Sequence, residues 1–122
     1  MNGKVYSNRE LSLDVRHDDK AVTVVWAGRS IARDPMTFIG PILAEARKAS
    51  NDAGSPLVLD FRALEYMNSS TITPVIRLLR EAGKGTGSVV VLYQRAAKWQ
   101  DLSFSALTIF ATEDKRIEIR GV

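Results

Sequence analysis

The sequence predicts an α/β domain with a mixed, mostly parallel sheet, in the order β-β-α-β-α-β-α-β. Apolar strand patterns alternate with helical patterns after about residue 34, which is typical of parallel strands joined by helices. Two strand patterns precede the first helix, and the short turn between them indicates an antiparallel hairpin. The chain has 122 residues, which fits one domain, 1–122, with a core over about 11–119.

The first elements follow from the spacing of apolar residues. Three apolar residues at alternate positions predict a half-buried strand: Leu11, Leu13 and Val15. Residues 21–27 are nearly all apolar, which predicts a second strand buried on both faces. A loop over 28–33 is expected next. Asp34 as N-cap and Pro35 at the first helical position then predict the start of a helix, which ends over 51–56.

The middle of the chain predicts a strand, a connector and a helix. Residues 57–60 form a short apolar strand, residues 62–68 a connector, and Ser69 and Ser70 begin the second helix. Helical spacing separates an apolar face from a polar one. The apolar face consists of Ile72, Val75, Ile76 and Leu79, and the exposed face of Thr73, Arg77, Arg80 and Glu81.

The last third of the chain predicts a strand over 88–92, a helix over about 96–107 and a final one-sided strand around Ile117. The expected inward residues of that helix are Trp99, Leu102 and Ala106. The glycine-rich stretch 83–87 leaves a helix and precedes a strand, whereas a phosphate-binding loop must lead into a helix. We therefore expect a helix C-cap at Gly83 and a flexible turn.

Composition excludes several kinds of function. The chain has no cysteine and one histidine, His17, which excludes thiol catalysis, thiolate metal sites and two-histidine metal sites. The net charge is +3, but the basic residues are scattered beside acidic ones, which does not favour a nucleic-acid binder. No apolar run has the length of a membrane span or the core of a signal peptide. A cytoplasmic protein without metal or cofactor is expected.

Carboxylates offer no clear acid/base pair. Asp60 ends an apolar strand, where ligands of open α/β folds often bind. One acid without a base or a nucleophile is not a catalytic site, so Asp60 is expected to bond local amides or an arginine. The interpretation is a protein without enzymatic activity.

The segment 66–70 places serine hydroxyls where a strand and loop lead into a helix. Free backbone amides and the positive end of the helix dipole meet at such a position. Plain N-capping by Asn68 or a serine explains the residues on local grounds. A capping hydroxyl is also open to modification, and a phosphate there would add about −1.5 to −2 charges.

Residues 57–61 and 64–70 together resemble the signature of the STAS family of anti-sigma factor antagonists. In that family an apolar strand is followed by an aromatic residue, a Met or Leu, and then typically Asp-Ser-Ser-Gly at a helix start. Gly28, the stretch 83–92 and the segment 99–107 also match the family in order. The resemblance implies a non-catalytic partner-switch module. A serine kinase of the anti-sigma type would bind it unmodified and release it once phosphorylated, and a serine phosphatase would reverse the modification.

Carried over by position, the phosphorylated residue is Ser69, with Ser70 as the alternative. The surface implied for partner binding is the start of the second helix and the 29–33 loop. Its members are Asn68, Ser69, Ser70, Thr73, Arg77, Arg29 and Ser30. No nucleic acid and no membrane insertion are implied, and a homodimer is compatible with the resemblance.

The chain departs from the family at three positions. Asn68 replaces the usual Asp, Thr71 replaces the usual Gly, and Pro74 lies near the first helical turn, where it is expected to distort the helix. A single-domain branch of the family that regulates biofilm formation carries Asn followed by a hydroxyl residue at this position. Asn68 and Ser69 of this chain resemble that branch. The departures also motivate an alternative, an unphosphorylated STAS scaffold subunit of a larger, transporter-associated assembly.

Overall fold

A computed structural model describes residues 2–122, so Met1 of the predicted domain lies outside the described residues. One sheet is built from six strands, and three α-helices connect its parallel strands. The strands are β1 (Asn2–Asn8), β2 (Leu11–His17), β3 (Val22–Ser30), β4 (Leu57–Met67), β5 (Val89–Tyr93) and β6 (Ile117–Gly121). The helices are α1 (Pro35–Ala53), α2 (Ile72–Lys84) and α3 (Lys98–Ser105), with 3₁₀ turns at Ser69–Thr71 and Ala106–Phe110.

The strands lie in the sheet in the order β1-β2-β3-β4-β5-β6. β1, β2 and β3 pair antiparallel, and β3 to β6 pair parallel. The predicted mixed, mostly parallel α/β sheet is therefore confirmed. The predicted order lacked β1, because residues 2–8 contain little apolar sequence and join the sheet as an edge strand.

One face of the sheet is buried under the helices. Val22, Val24 and Trp26 of β3 are at most 2% exposed, while the alternating Thr23 and Val25 remain partly exposed. The prediction that this strand is buried on both faces is wrong, because the helices cover only one side. The core combines inward strand residues with helix residues such as Ile39, Leu43, Val75, Leu79 and Phe104.

The other face of the sheet carries ion pairs. Three strands place an acid two residues before an arginine on the same side: Asp14 with Arg16 at 2.7 Å, Asp60 with Arg62 at 2.8 Å, and Glu118 with Arg120 at 2.8 Å. The backbone amide of Arg62 also donates to Asp60. Asp60 thus bonds a local amide and an arginine, as predicted, although it lies within β4 rather than at its end.

Several element boundaries differ from the prediction. β3 continues through Gly28 to Ser30, so the expected 28–33 loop is shorter. The expected connector 62–68 is mostly strand, because β4 continues to Met67 beside β3. Asp34 makes no capping bond to the helix backbone and instead accepts from the Thr37 hydroxyl at 2.7 Å. α1 ends at Ala53, and its C-cap is Gly54, whose φ of 66° suits glycine.

The second and third helices also correct two predictions. α2 includes Gly83 and ends at Lys84 with Gly85 as its C-cap, and the Arg116 guanidinium donates to Ala82 O at 2.7 Å near that end. The predicted inward residues Leu102 and Ala106 are exposed, whereas Trp99 packs partly buried against the core. The buried residues of this region are Gln100, Phe104 and Leu107. Over the described range, no helix is long and apolar enough to span a membrane.

Candidate functional site

The chain reaches α2 through a tight turn at the end of β4. Asn68 has an extended backbone, and the Ser69–Thr71 turn follows it. The Asn68 side chain caps this turn, because its Oδ1 accepts from the Thr71 amide at 3.2 Å and from the Thr71 hydroxyl at 2.7 Å. The helical segment therefore begins at Ser69 as predicted, but its first turn is 3₁₀. Pro74 falls within the first turn of α2, where a helix does not need its N–H.

A buried cluster of polar side chains holds this turn against β3. Thr71 is fully buried, and its hydroxyl lies 2.6 Å from the hydroxyl of Ser30. Asn68 Nδ2 donates to Ala32 O at 2.8 Å, and the Asn68 amide donates to Ser30 O at 3.0 Å. We call Ser30, Asn68 and Thr71 the polar clamp. It fixes the end of β3, the following loop and the start of α2 relative to one another.

The clamp corrects one predicted site residue. Ser30 is 1% exposed, so its side chain is not available to a partner protein, and we remove it from the candidate surface. Its hydroxyl satisfies the buried Thr71 instead. The Asn68 side chain, also expected at the surface, is half-buried and directed into the clamp.

The other predicted site residues are exposed, but they do not form one continuous surface. Ser69 and Ser70 lie open at the start of the turn, and Thr73 and Arg77 follow on the outer face of α2. Arg29 lies beside Tyr66 on neighbouring strands, with its guanidinium 5.3 Å from the ring centre. Arg77 lines a separate cleft between α1 and α2.

An apolar groove begins beside Ser69, and sequence reasoning missed it. This groove, the α2–α3 groove, has a volume of about 620 Å³. Its lining includes Ser69, Ile72, Ile76, Arg80, Leu102 and Ile109. Leu102 is 78% exposed and Ile109 is 82% exposed, although both are large apolar residues. Helical spacing assigns Leu102 to the buried core, so the sequence shows no exposed apolar residue on α3 that would indicate a groove.

The Gln100 side chain stabilises the C-terminal half of β4 through hydrogen bonds to its backbone. Its amide nitrogen donates to Phe61 O at 2.7 Å and to Leu64 O at 2.9 Å, and its oxygen accepts from the Gln94 amide at 2.7 Å. Gln100 is 1% exposed, so these bonds satisfy backbone groups that water does not reach. The side chain thereby positions the strand that delivers Ser69.

Among residues 2–122, Arg80 is the only charged residue that lines the α2–α3 groove beside Ser69. Residues 2–122 contain no group of three or more His, Asp or Glu side chains that could hold a metal ion. Burial tends to raise the pKa of Asp60, but hydrogen bonds from Arg62 outweigh it and leave that pKa below its usual value. Asp60 and Arg62 lie on the open face of the sheet, and neither lines the α2–α3 groove.

Comparison with known proteins identifies the fold. Neither a protein-family profile nor a curated protein matches this sequence. The chain is similar to the crystal structure of an anti-sigma factor antagonist from Mycobacterium paratuberculosis, with 19% identity and a TM-score of 0.62 over 87% of this chain and 90% of the other. It is also similar to SiaC of Pseudomonas aeruginosa, with 20% identity and a TM-score of 0.62 over 100% and 98%.

A third likeness is to a chain in the structure of the Pseudomonas aeruginosa diguanylate cyclase SiaD in complex with its activator SiaC. Identity is 18% and the TM-score 0.65, over 96% of this chain and 99% of the other. At this level of identity the likenesses show the fold. The chain therefore has the STAS-type fold that the sequence resemblance predicted.

Proposed function

We propose that this chain is a non-catalytic regulatory protein of the cytosol that binds a protein partner at the start of α2 and is released when Ser69 is phosphorylated. One observation carries the proposal: the Ser69 hydroxyl is exposed where β4 leads into α2, beside an apolar groove. The likeness to an anti-sigma factor antagonist and to the activator of a diguanylate cyclase supports action through a protein partner.

Electrostatics explains how one phosphate would act as a switch. In the free domain, the amides at the helix start favour an anion by about 0.3–2 kcal/mol. Inside an interface an unpaired dianion costs several kcal/mol, and each ~1.4 kcal/mol changes affinity tenfold. Phosphorylation would therefore leave the free protein folded and weaken its complex strongly.

The positions of the two serines favour Ser69 over Ser70 as the modified residue. Both are exposed, but Ser69 lines the α2–α3 groove and Ser70 does not. A phosphate on Ser69 would therefore stand at the mouth of an apolar surface. The enzymes required are a serine kinase, itself a partner of the unmodified form, and a serine phosphatase.

The test combines modification mapping with partner capture in the native host. Intact-mass analysis and peptide mapping of the purified protein should find a phosphorylated fraction at Ser69. Tagged wild type and Ser69→Ala should retain the same co-purifying partner, which Ser69→Asp should lose and the matched Ser70→Asp should keep. A partner retained equally by Ser69→Asp, with no phosphate detected, would refute the switch and support a constitutive scaffold.

A further inference from the structure

We propose that the α2–α3 groove receives an amphipathic helix of the partner, which runs antiparallel to α2 with an acidic first turn at Arg80. This inference rests on the proposed function and specifies how the partner reads Ser69. The observations that carry it are the spacing of the groove residues, the two exposed apolar side chains and the charge of the groove lining.

The shape of the groove suits a helix. Ile72, Ile76 and Arg80 are spaced four residues apart, so they form one row along α2 of about 12 Å. Leu102 and Ile109 rise on the opposite wall, exposed to water. A groove with apolar walls formed by two helical segments binds the apolar face of a third helix through residues at helical spacing.

The charges of the lining select the orientation. Of the described residues that line the groove, only Arg80 is charged. Within the described part of the chain, Arg80 forms no ion pair with a carboxylate. A carboxylate on the docked helix would pair with Arg80. Because acidic residues are favoured in the first turn of a helix, the partner helix should begin at the Arg80 end.

This orientation explains how phosphorylation is sensed. A helix that begins near Arg80 ends near Ser69, so its last carbonyl groups, with their partial negative charge, face the Ser69 hydroxyl. A neutral hydroxyl can donate to such a carbonyl. A phosphate would repel it, and the groove offers no second cation next to Ser69 to compensate.

The experiment uses two synthetic amphipathic peptides of about 12 residues, the length of the helical segment from Ser69 to Arg80, so that a bound helix that begins at Arg80 ends at Ser69. Both carry leucines at helical spacing; one has glutamates only in its first turn, the other only in its last. Their affinities for the full chain are measured by fluorescence anisotropy, and the contact surface by NMR chemical-shift changes. The peptide with the acidic first turn should bind at least about fivefold more tightly, with shift changes at Ile72, Ile76 and Ile109.

Variants separate this inference from the proposed switch. Ile109→Glu and Arg80→Glu should each weaken the acidic-first peptide about tenfold, whereas Val5→Glu on β1, also an exposed apolar residue, should not. Ser69→Asp should weaken it, whereas Ser7→Asp, at an exposed serine on β1 outside the groove, should not. Equal binding of both peptides, or no effect of Ile109→Glu, would overturn the groove. If Ile109→Glu weakens peptide binding but Ser69→Asp leaves the affinity unchanged, docking in the groove is supported and the phosphorylation switch is contradicted.

Discussion

The hydroxyl groups of Ser30 and Thr71 lie 2.6 Å apart in the interior of the protein. They join the end of β3 to the start of α2, and Asn68 completes the clamp through bonds to Thr71 and to Ala32 O. The position of Ser69 is therefore determined by directional hydrogen bonds as well as by apolar packing.

Replacing Thr71 with valine keeps the shape of the side chain and removes its hydroxyl. Ser30 and Asn68 would each lose a buried partner, so we expect the free energy of unfolding to fall by about 1–3 kcal/mol. Urea denaturation measures the change. The control is Thr73→Val, which is exposed and should stay within about 0.5 kcal/mol of wild type. Equal effects of the two variants would contradict the clamp.

Asn68→Asp tests the amide rather than the cap. A carboxylate can still accept from Thr71 but cannot donate to Ala32 O, so the 31–34 loop should loosen. We expect faster hydrogen exchange of the amides in 31–34 and a loss of about 1–2 kcal/mol of stability. Ser70→Asp adds the same charge two residues away and should leave that exchange unchanged. Identical exchange in wild type and Asn68→Asp would refute the role of the amide.

Gln100→Leu should destabilise the protein by about 3 kcal/mol, because it leaves the buried carbonyls of Phe61 and Leu64 and the amide of Gln94 without their partner. Hydrogen exchange near the end of β4 should also accelerate, because that strand loses its support. Denaturation and exchange are compared with Gln94→Leu, whose side chain is exposed. If both variants unfold alike, the backbone bonds of Gln100 are unimportant.

Two glycines should respond to alanine in opposite directions. Gly28 has a φ of 85°, and a Cβ there would overlap the carbonyl oxygen of Glu10, so Gly28→Ala should cost about 3 kcal/mol or more. Gly83 lies within α2, and a Cβ added there would meet no neighbouring atom within 4 Å, so Gly83→Ala should gain up to about 1 kcal/mol of stability. Thermal unfolding of both variants decides. A tolerated Gly28→Ala would contradict the close approach of Gly28 to the Glu10 carbonyl.

Asp60 should contribute to acid sensitivity. Burial raises the pKa of Asp60, but hydrogen bonds from the Arg62 guanidinium and amide lower it by more. The folded-state pKa therefore lies below the unfolded value of about 3.9. The stabilisation is present above that unfolded value and is lost as the pH falls through the lower folded value. Asp60→Asn should therefore flatten the dependence of stability on pH below about 4. Asp19→Asn, in an exposed turn, is the control, and an equally flat profile in that variant would contradict the assignment to Asp60.

The fold was predictable because its signal is periodic. Alternating apolar residues mark β2, helical spacing marks α1 and α2, and their succession implies parallel pairing. β1 was missed because its place in the sheet depends on backbone bonds to β2, which leave no apolar pattern. The C-terminal half of β4 was missed for a similar reason. Residues 62–66 are mostly exposed, so they show no apolar pattern, and their pairing with β3 is interrupted by register shifts.

The candidate site was predictable only in part. The exposed hydroxyls at a helix start follow from the residue types around Ser69, but the burial of Ser30 does not, because its partner Thr71 is 41 residues away in sequence. Leu102 was expected to face inward and is exposed, whereas the polar Gln100 is buried because its amide donates to backbone carbonyls of β4. Such burial depends on contacts between distant segments, which a local pattern does not contain.

The order of the strands across the sheet repeats their order along the chain. Each strand therefore finds its neighbour already synthesised when it leaves the ribosome, and none must be threaded between two earlier ones. Each antiparallel pairing closes only a short turn, and each parallel pairing closes a segment with a single α-helix, which keeps the entropy of loop closure small. Growth of the sheet can thus proceed in step with translation, with the serine-bearing turn formed before the last two strands emerge.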